Sequence, residues 1–340
     1  MSLRNALTES PVLFPLTLNA VGDLVQFITL NEPSYQSISF LDHRILQPST
    51  PTAVIPWPEL IEAANLIPLR CDFIFHISHA GSTLYSRLLG AHSAIFSLRE
   101  PGILRTLGQW NHLDHLPTFL RLWSRTFRPT QTALIKATSF VSEMGPQILN
   151  LVPDARAILM YVPPATFLRA LLDGSMSDID SQAEARLRRI QKHGSLHDTA
   201  ISQLSPGERV AMSWLAEMLS LTGIATQFPN RALWVNFDAF LKSPHAMLTE
   251  AFVHLGIETD VTPILESDIM RHYAKKPEVI YDANFRFQLL ERSNQLYGSE
   301  IEKGLAWLDA KGYPSKVGAA FIEFFRIDRP KGETAPCSDG

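Results

Sequence analysis

A short run of small and polar residues lies between an apolar strand pattern and an amphipathic helix pattern. Residues 72–77 are mostly apolar, and residues 78–83 read Ser-His-Ala-Gly-Ser-Thr. Gly81 permits a tight turn and a close approach of the backbone to a ligand. Ser82 and Thr83 place hydroxyl groups where free N–H groups and the positive end of the helix dipole lie. A plain helix cap would not need the preceding residues, so the segment predicts a phosphate-binding loop.

The residues around this loop argue against ATP as its ligand. The nucleotide-hydrolase form of such a loop needs a Lys before its Ser or Thr, and here Gly81 is followed directly by Ser82. Asp238 is the candidate for a magnesium-binding carboxylate at a later strand end, and it suits a helix cap equally well. The pair His193 and His197 has a spacing that could serve a metal, but it lacks a third ligand. We therefore place no metal ligand in the predicted site.

Further ionisable residues follow or end predicted strands. Glu100 follows the apolar run 94–98, and Lys136 ends the run 132–136. Because the carboxyl ends of parallel strands share one edge of a sheet, these side chains should lie near the loop. Glu100 is a candidate general base, or equally a charge favoured at a helix start. Lys136 could contact a transferred group, and His79 titrates close enough to neutrality to act as an acid or base.

These features resemble the sulfotransferase superfamily, which has a P-loop fold and uses 3'-phosphoadenylyl sulfate (PAPS). The first loop of that family reads basic residue, small residue, Gly, Ser or Thr, Thr and an apolar residue, and residues 79–84 match it with a histidine in the basic position. Glu100-Pro101, Lys136 and residues 234–241 resemble later family landmarks in the same order. The resemblance covers about residues 70–260, and the rest looks like uncharacterised bacterial members of the group.

The resemblance implies transfer of a sulfuryl group from PAPS to a hydroxyl or amine acceptor, with no metal required. It implies a catalytic role for Glu100, Lys136 and His79. The donor would be bound by the loop and by one arginine of a later helix, that is by Ser78, His79, Ala80, Gly81, Ser82, Thr83 and Arg169.

The chain departs from the family at the motif that binds the 3'-phosphate. Val162 occupies the position of an Arg, and Ala170 lies roughly at that of a Ser. Arg169 could substitute for the missing Arg, or could lie on the surface. Two alternatives therefore stay open: a non-catalytic or diverged P-loop protein that binds a nucleotide or phosphate, and a magnesium-dependent small-molecule kinase.

Strand and helix patterns alternate through the middle of the chain, which indicates an α/β, three-layer P-loop fold with a mostly parallel central sheet. We predict a small N-terminal β segment, a hairpin of the runs 24–30 and 38–41, and a helical region from residue 243 onward. The predicted domains are an N-terminal extension and connector over 1–68, a sulfotransferase-like domain over 69–328 and a flexible tail over 329–340. Strands are expected at 72–77, 94–98, 132–136, 156–161 and 232–236.

Composition narrows the classes of partner. The chain of 340 residues is 46% apolar and 19% charged, which is typical of a globular protein. A formal charge of -4 gives no global field that would favour nucleic acid. No apolar run approaches the ~20 residues of a membrane span, and two cysteines without a disulfide pattern fit a cytoplasmic location. Neither the acceptor, a small molecule or a carbohydrate, nor the oligomeric state is readable from the sequence.

Overall fold

The computed structural model describes residues 3–110, 112–174, 176–193, 196–197, 199–273, 276–280 and 283–311. Its strands are β1 (Leu13–Leu18), β2 (Leu24–Thr29), β3 (Thr52–Pro56), β4 (Cys71–His76), β5 (Ile95–Arg99), β6 (Thr132–Lys136), β7 (Ala157–Tyr161), β8 (Ala232–Asn236), β9 (His272–Tyr273) and β10 (Lys276–Ile280). Its α-helices are α1 (Leu3–Glu9), α2 (Glu32–Ser37), α3 (Trp57–Ala64), α4 (Ser82–Gly90), α5 (Gly102–Trp110), α6 (Leu116–Trp123), α7 (Gly145–Leu151), α8 (Pro164–Leu172), α9 (Met176–Ser181), α10 (Ala183–Lys192), α11 (Pro206–Gln227), α12 (Phe237–Lys242), α13 (Pro244–His254), α14 (Thr262–Leu265) and α15 (Ala283–Ala310).

A five-stranded, wholly parallel sheet forms the centre of the molecule, in the order β5-β6-β4-β7-β8. Its strands are apolar on both faces because helices cover both sides, and Phe73, Ile74 and Phe75 of β4 are fully buried. The predicted α/β fold class is confirmed, and the five predicted strands match the observed ones to within one residue at each end. Within the described residues, no helix combines the length and the apolar character needed to cross a bilayer.

The order of the strands creates a crevice at their carboxyl ends. The chain leaves β4 toward β5 on one side of the sheet and leaves β7 toward β8 on the other. Where two neighbouring strands connect in opposite directions, the loops that follow them separate and leave room for a ligand. The loop after β4 and the residues that follow β5, β6, β7 and β8 therefore line the same opening.

The N-terminal region is a three-stranded antiparallel sheet, β1-β2-β3, and the predicted pairing of runs 24–30 and 38–41 is wrong. The segment Ile38–Leu41 is not a strand, because its backbone is held by the end of β5. Leu41 N–H donates to the Arg99 carbonyl at 2.8 Å, and the Arg99 guanidinium donates to the carbonyls of Ile38 at 2.8 Å and Gln36 at 3.0 Å. The apolar alternation of this segment reflects packing against the main domain.

Among the described residues after 243, the regular elements are helices and the short antiparallel pair β9 and β10, which the sequence pattern did not predict. The long helix α15 packs on α8 and α11. Its backbone approaches α11 at two glycines: a Cβ on Gly207 would overlap the Glu300 carbonyl, and one on Gly304 would lie 2.7 Å from the Gly207 oxygen. The predicted tail over 329–340 lies outside the described residues.

Substitution of Gly207 by Ala should separate α11 from α15. The added Cβ overlaps backbone, which cannot move as a side-chain tip does, so we expect the free energy of unfolding to fall by about 1–3 kcal/mol. Gly223→Ala in the same helix is the matched control: nothing lies within 4 Å of its added Cβ, and Ala favours helix by about 1 kcal/mol. Urea denaturation distinguishes the two, and equal stability of Gly207→Ala and wild type would contradict the backbone contact.

Candidate functional site

The loop between β4 and α4 adopts the conformation that an anion cradle needs. Gly81 is the N-cap residue of α4 with φ of 65°, and within the described part of the chain no side chain caps the first N–H groups of the helix. The hydroxyl-bearing residues Ser82 and Thr83 are 6% and 5% exposed. A Cβ on residue 81 would overlap the ring of Phe237, so Gly is required both for the backbone angle and for the space. These free N–H groups and hydroxyls are the donors that bind phosphate at helix starts.

The first half of the loop presents His79 to the opening. His79 is exposed and has φ of 59°, while Ala80 is fully buried and Ser78 half-buried. A left-handed backbone at a residue other than Gly costs of order 1 kcal/mol, and such residues concentrate at functional sites. The backbone thus holds the imidazole of His79 on the rim of the cavity instead of folding it against the sheet.

Glu100 and Lys136 meet at the floor of the cavity as an ion pair. Arg99 and Lys136 are paired in the sheet register, and Glu100 N–H donates to the Lys136 carbonyl at 2.7 Å, so the two side chains emerge side by side. Lys136 is fully buried, and Glu100, which also has a positive φ of 51°, lines the cavity. The carboxylate therefore faces the opening, and the ammonium lies behind it.

His76, the last residue of β4, also lines the cavity. It is buried, and its Nε2 lies 3.9 Å from Glu100 Oε1. Its Nδ1 is 2.8 Å from the Ile77 carbonyl, which can only accept, so Nδ1 carries the proton of the neutral ring. Burial and the nearby ammonium of Lys136 lower the pKa of His76 to about 4. The imidazole is therefore neutral at pH 7.

The structure explains the departure at the 3'-phosphate motif. Val162 follows β7, is fully buried, and its carbonyl accepts from Trp214 Nε1 at 3.0 Å. Arg169 and Ala170, on the helix α8 that begins two residues later, both line the cavity. Arg169 is half-buried and makes no ion pair with any described residue. The position of the missing Arg is thus part of the core, and an unpaired Arg lies one to two turns further along.

An arginine that the sequence analysis did not single out reaches the cavity from α15. Arg286 Nη2 donates to Asp238 Oδ1 at 2.6 Å, and its guanidinium lies 5.3 Å from the centroid of the Phe237 ring. Asp238 also accepts from Thr166 Oγ1 at 2.7 Å, while Asn236 caps α12. Asp238 is therefore neither the helix cap nor a free carboxylate. It holds Arg286 beside the ring that covers the phosphate loop.

The cavity that these residues share has a volume of about 930 Å³, within the range of small-molecule sites. The N-terminal region supplies one wall through Phe40, Asp42, His43 and Arg44. Apolar side chains at the opposite side are Ile179, Phe285, Leu289 and Leu290. The lining includes five arginines, Arg44, Arg105, Arg169, Arg186 and Arg286, and four carboxylates, Asp42, Glu100, Asp173 and Asp178.

A smaller cavity of about 530 Å³ lies away from the phosphate loop. Arg99 on its wall is already bound to backbone carbonyls of residues 36 and 38, and Arg87 donates to the Ser37 carbonyl at 2.9 Å. Arg128 pairs with Glu32 at 2.8 Å. Its arginines therefore hold the N-terminal segment in place.

No protein-family model and no curated protein matches the chain. Several solved structures do match the chain. The sulfotransferase domain from the curacin biosynthetic pathway is 15% identical, covering 71% of this chain and 98% of its own, with a TM-score of 0.38. Mouse sulfotransferase SULT7A1, complexed with PAP, is 12% identical over 80% and 96%, with a TM-score of 0.39. Sulfotransferase STF9 from Mycobacterium avium is 11% identical over 71% and 79%, with a TM-score of 0.38.

The chain is thus similar to solved structures of sulfotransferases. At these identities and TM-scores the likeness carries no information about a ligand or a reaction.

The buried neutral His76 makes stability depend on pH. Its pKa is about 4 in the fold and 6.5 ordinarily, so between these values the unfolded chain binds a proton that the folded chain does not. The contribution of this residue to the free energy of unfolding should therefore fall, by as much as about 1.4 kcal/mol per pH unit, as pH drops from 6.5 to 4. Denaturation of wild type and His76→Gln across this range measures the difference. A difference that is constant with pH would show that His76 titrates normally.

Proposed function

We propose that the protein is a sulfotransferase-like enzyme that transfers a sulfuryl group from PAPS to a hydroxyl or amine acceptor. The observation that carries this proposal is the placement of Glu100, paired with a buried Lys136, in the same cavity as the anion-type loop of residues 78–83. Such a cavity offers donors for a leaving phosphate and a carboxylate for the acceptor proton. It requires no metal, because fixed donors can neutralise the charge that develops.

In the proposed reaction, PAPS is a substrate whose 5'-phosphosulfate lies on the N–H groups of residues 81–83 and the hydroxyls of Ser82 and Thr83. Glu100 takes the proton of the acceptor O–H or N–H group. The acceptor atom forms a bond to sulfur, and the bond between sulfur and the bridging oxygen breaks. The electron pair stays on that oxygen, and 3',5'-adenosine bisphosphate (PAP) leaves. His79 on the rim is placed to donate a hydrogen bond to the phosphate.

Lys136 has a role that changes as the proton moves. Before transfer its ammonium is bound to the Glu100 carboxylate. Once Glu100 is protonated, that attraction weakens, and the ammonium can turn to the sulfuryl oxygens, where negative charge builds up. His76, neutral at pH 7 and 3.9 Å from Glu100, adds no competing positive charge. The pair would therefore couple removal of the proton to stabilisation of the transferring group.

Recognition of the 3'-phosphate would shift from the position of Val162 to arginines on two helices. Arg169 makes no ion pair in the described chain, and Arg286 is held beside Phe237 above the loop. Arginine binds phosphate through paired N–H groups, so either side chain can replace the one that the core valine excludes. This substitution keeps PAPS as the proposed donor.

The strongest alternative is a P-loop protein that binds a nucleotide or phosphate without turnover. The burial of Val162 and the existing partner of Glu100 favour it. A magnesium-dependent small-molecule kinase is less well supported. The loop lacks a Lys before Ser82, and Asp238, the candidate for a magnesium ligand, is bound to Thr166 and Arg286.

The proposed partner is a small-molecule or carbohydrate acceptor and not a nucleic acid, since the formal charge is -4. We propose a cytoplasmic location. Cys71 is a free, buried thiol whose pKa burial raises to about 12, so it is neither reactive nor paired.

Calorimetric titration with PAP, 5'-AMP, ADP and ATP, each with and without magnesium, tests the proposed donor. We expect micromolar, magnesium-independent binding of PAP that is lost in Ser82→Ala/Thr83→Ala, because that variant removes the two hydroxyls at the start of α4. Weaker binding of 5'-AMP would show that the 3'-phosphate is recognised. No binding of PAP, or a magnesium-dependent preference for ATP, would contradict PAPS as the donor.

Substitution of the two arginines separates the 3'-phosphate from the rest of the nucleotide. Arg169→Met or Arg286→Met should weaken PAP at least tenfold, about 1.4 kcal/mol, and leave 5'-AMP unchanged. Arg188→Met, an exposed arginine of α10, is the matched control and should change neither affinity. If both nucleotides weaken equally in the site variants, the arginines do not read the 3'-phosphate.

Glu100→Gln tests the general base. We expect PAP affinity to stay within tenfold of wild type, while release of PAP from PAPS in the presence of a mixed pool of alcohols, phenols and amines is abolished. Because the change also leaves the buried Lys136 without its partner, thermal denaturation is measured alongside, and Glu100→Gln/Lys136→Met restores a neutral floor. A tenfold loss of PAP affinity in a folded Glu100→Gln variant would instead assign Glu100 to binding.

A further inference from the structure

The connection between α5 and α6 carries a cluster of two histidines and one aspartate outside the cavity. His112, Asp114 and His115 each offer one ligand atom, and these atoms lie within 4.8 Å of one another. His115 Nδ1 is 3.0 Å from Asp114 Oδ1. The three residues share one short turn, in which His115 N–H donates to the His112 carbonyl at 3.1 Å.

Backbone carbonyls fix the protonation of both rings. His112 Nε2 lies 3.2 Å from the Ala20 carbonyl, and His115 Nε2 lies 2.7 Å from the Gly22 carbonyl. A carbonyl oxygen only accepts, so each Nε2 carries a proton, and in the neutral form of each ring the lone pair lies on Nδ1. A histidine that donates one ring N–H to a carbonyl and turns the other nitrogen to an ion is the usual arrangement of a metal ligand.

The surroundings hold the two rings in place and leave the aspartate open. His115 is 8% exposed and stacks on Trp57 with ring centroids 3.8 Å apart. The ring of His112 lies against Gly22, where an added Cβ would be 3.0 Å from Cε1. The Asp114 side chain is 76% exposed, so it can move to complete a ligand set, and solvent can fill the remaining position.

An ion pair between Asp114 and His115 explains this arrangement less well than a metal site does. A pair would place a proton on His115 Nδ1 and a hydrogen bond between it and Asp114. The Asp114 carboxylate lies 3.0 Å from the buried Nδ1 atom and its pKa is lowered by this contact with His115, but the angle at Nδ1 is too poor for a hydrogen bond with any described residue. A metal ion would explain why His115 Nδ1 and the Asp114 carboxylate lie so close, because both atoms would bind it. An ion pair between Asp114 and His115 does not explain why His112 faces the same point.

We propose that His112, Asp114 and His115 form a binding site for a divalent ion of the zinc type. Two imidazole nitrogens and one carboxylate oxygen suit zinc, whereas magnesium and calcium take oxygen ligands. Atoms bound to one zinc ion at about 2.1 Å lie at most about 4.2 Å apart, so the cluster need close only slightly. The ion would join the 112–115 turn to the β1–β2 turn, whose carbonyls hold both rings, and so fasten the N-terminal sheet.

Titration of the full, tag-free chain with zinc chloride after removal of metal by a chelator tests the site. We expect one ion to bind at micromolar or lower concentration, and magnesium chloride to give no heat. Asp114→Asn and His112→Gln should each weaken zinc at least tenfold. Both residues are at least partly exposed, so neither variant opens the core, and His115 is left intact because of its stack on Trp57.

His245→Gln removes an exposed histidine elsewhere and is the matched control, with unchanged zinc affinity. Zinc should also raise the melting temperature of wild type and of His245→Gln, but not of the two site variants, because binding to the folded state alone stabilises it. Absence of binding at 100-fold molar excess would overturn the proposal, as would equal affinity in all four proteins.

Discussion

The fully buried ammonium of Lys136 is the constraint on which the cavity floor depends. A charge out of contact with water must have a partner, and Glu100 is the carboxylate that supplies it. To reach that partner, the chain after β5 turns through a left-handed residue at Glu100 and bonds back to the Lys136 carbonyl. Burial and the ammonium of Lys136 lower the pKa of His76 to about 4, against an opposing effect of Glu100. Lys136, at the end of β6, thus holds Glu100 in place and helps to keep His76 neutral.

Aromatic packing forms the second layer of the site. Phe237 covers Gly81 so closely that no side chain fits at that position, and the Arg286 guanidinium lies 5.3 Å from the centroid of the same ring. The loop, the start of α12 and the start of α15 are therefore linked, although 200 residues separate the first from the last. The other end of α15, beyond a kink at Tyr297, is held by the close contact between Gly207 and Glu300.

The sequence pattern predicts the elements whose conformation depends on residues close together in the chain. Strands such as Thr132–Lys136 are apolar on both faces, and the phosphate loop follows from a strand, small residues and a helix in succession. The sequence pattern does not predict features that depend on contacts between residues far apart in the chain. The segment 38–41 alternates like a strand but is bound to Arg99. The charged helix α10 buries Arg186 and Arg189 against Glu217, and the only signal for this in the sequence was an acid in the middle of the apolar helix α11.

The same long-range pairing governs how the cavity can bind an anion. Several of its cations already have carboxylate partners: Lys136 with Glu100, Arg286 with Asp238, and Arg44 with Asp42. An incoming phosphate or sulfate must compete with these carboxylates, and it gains only the difference between the two interactions. The first N–H groups of α4 have no such competitor among the described side chains, because none of these caps them. In the proposed function, the loop would therefore provide most of the affinity for an anion, and the paired cations would distinguish one anion from another.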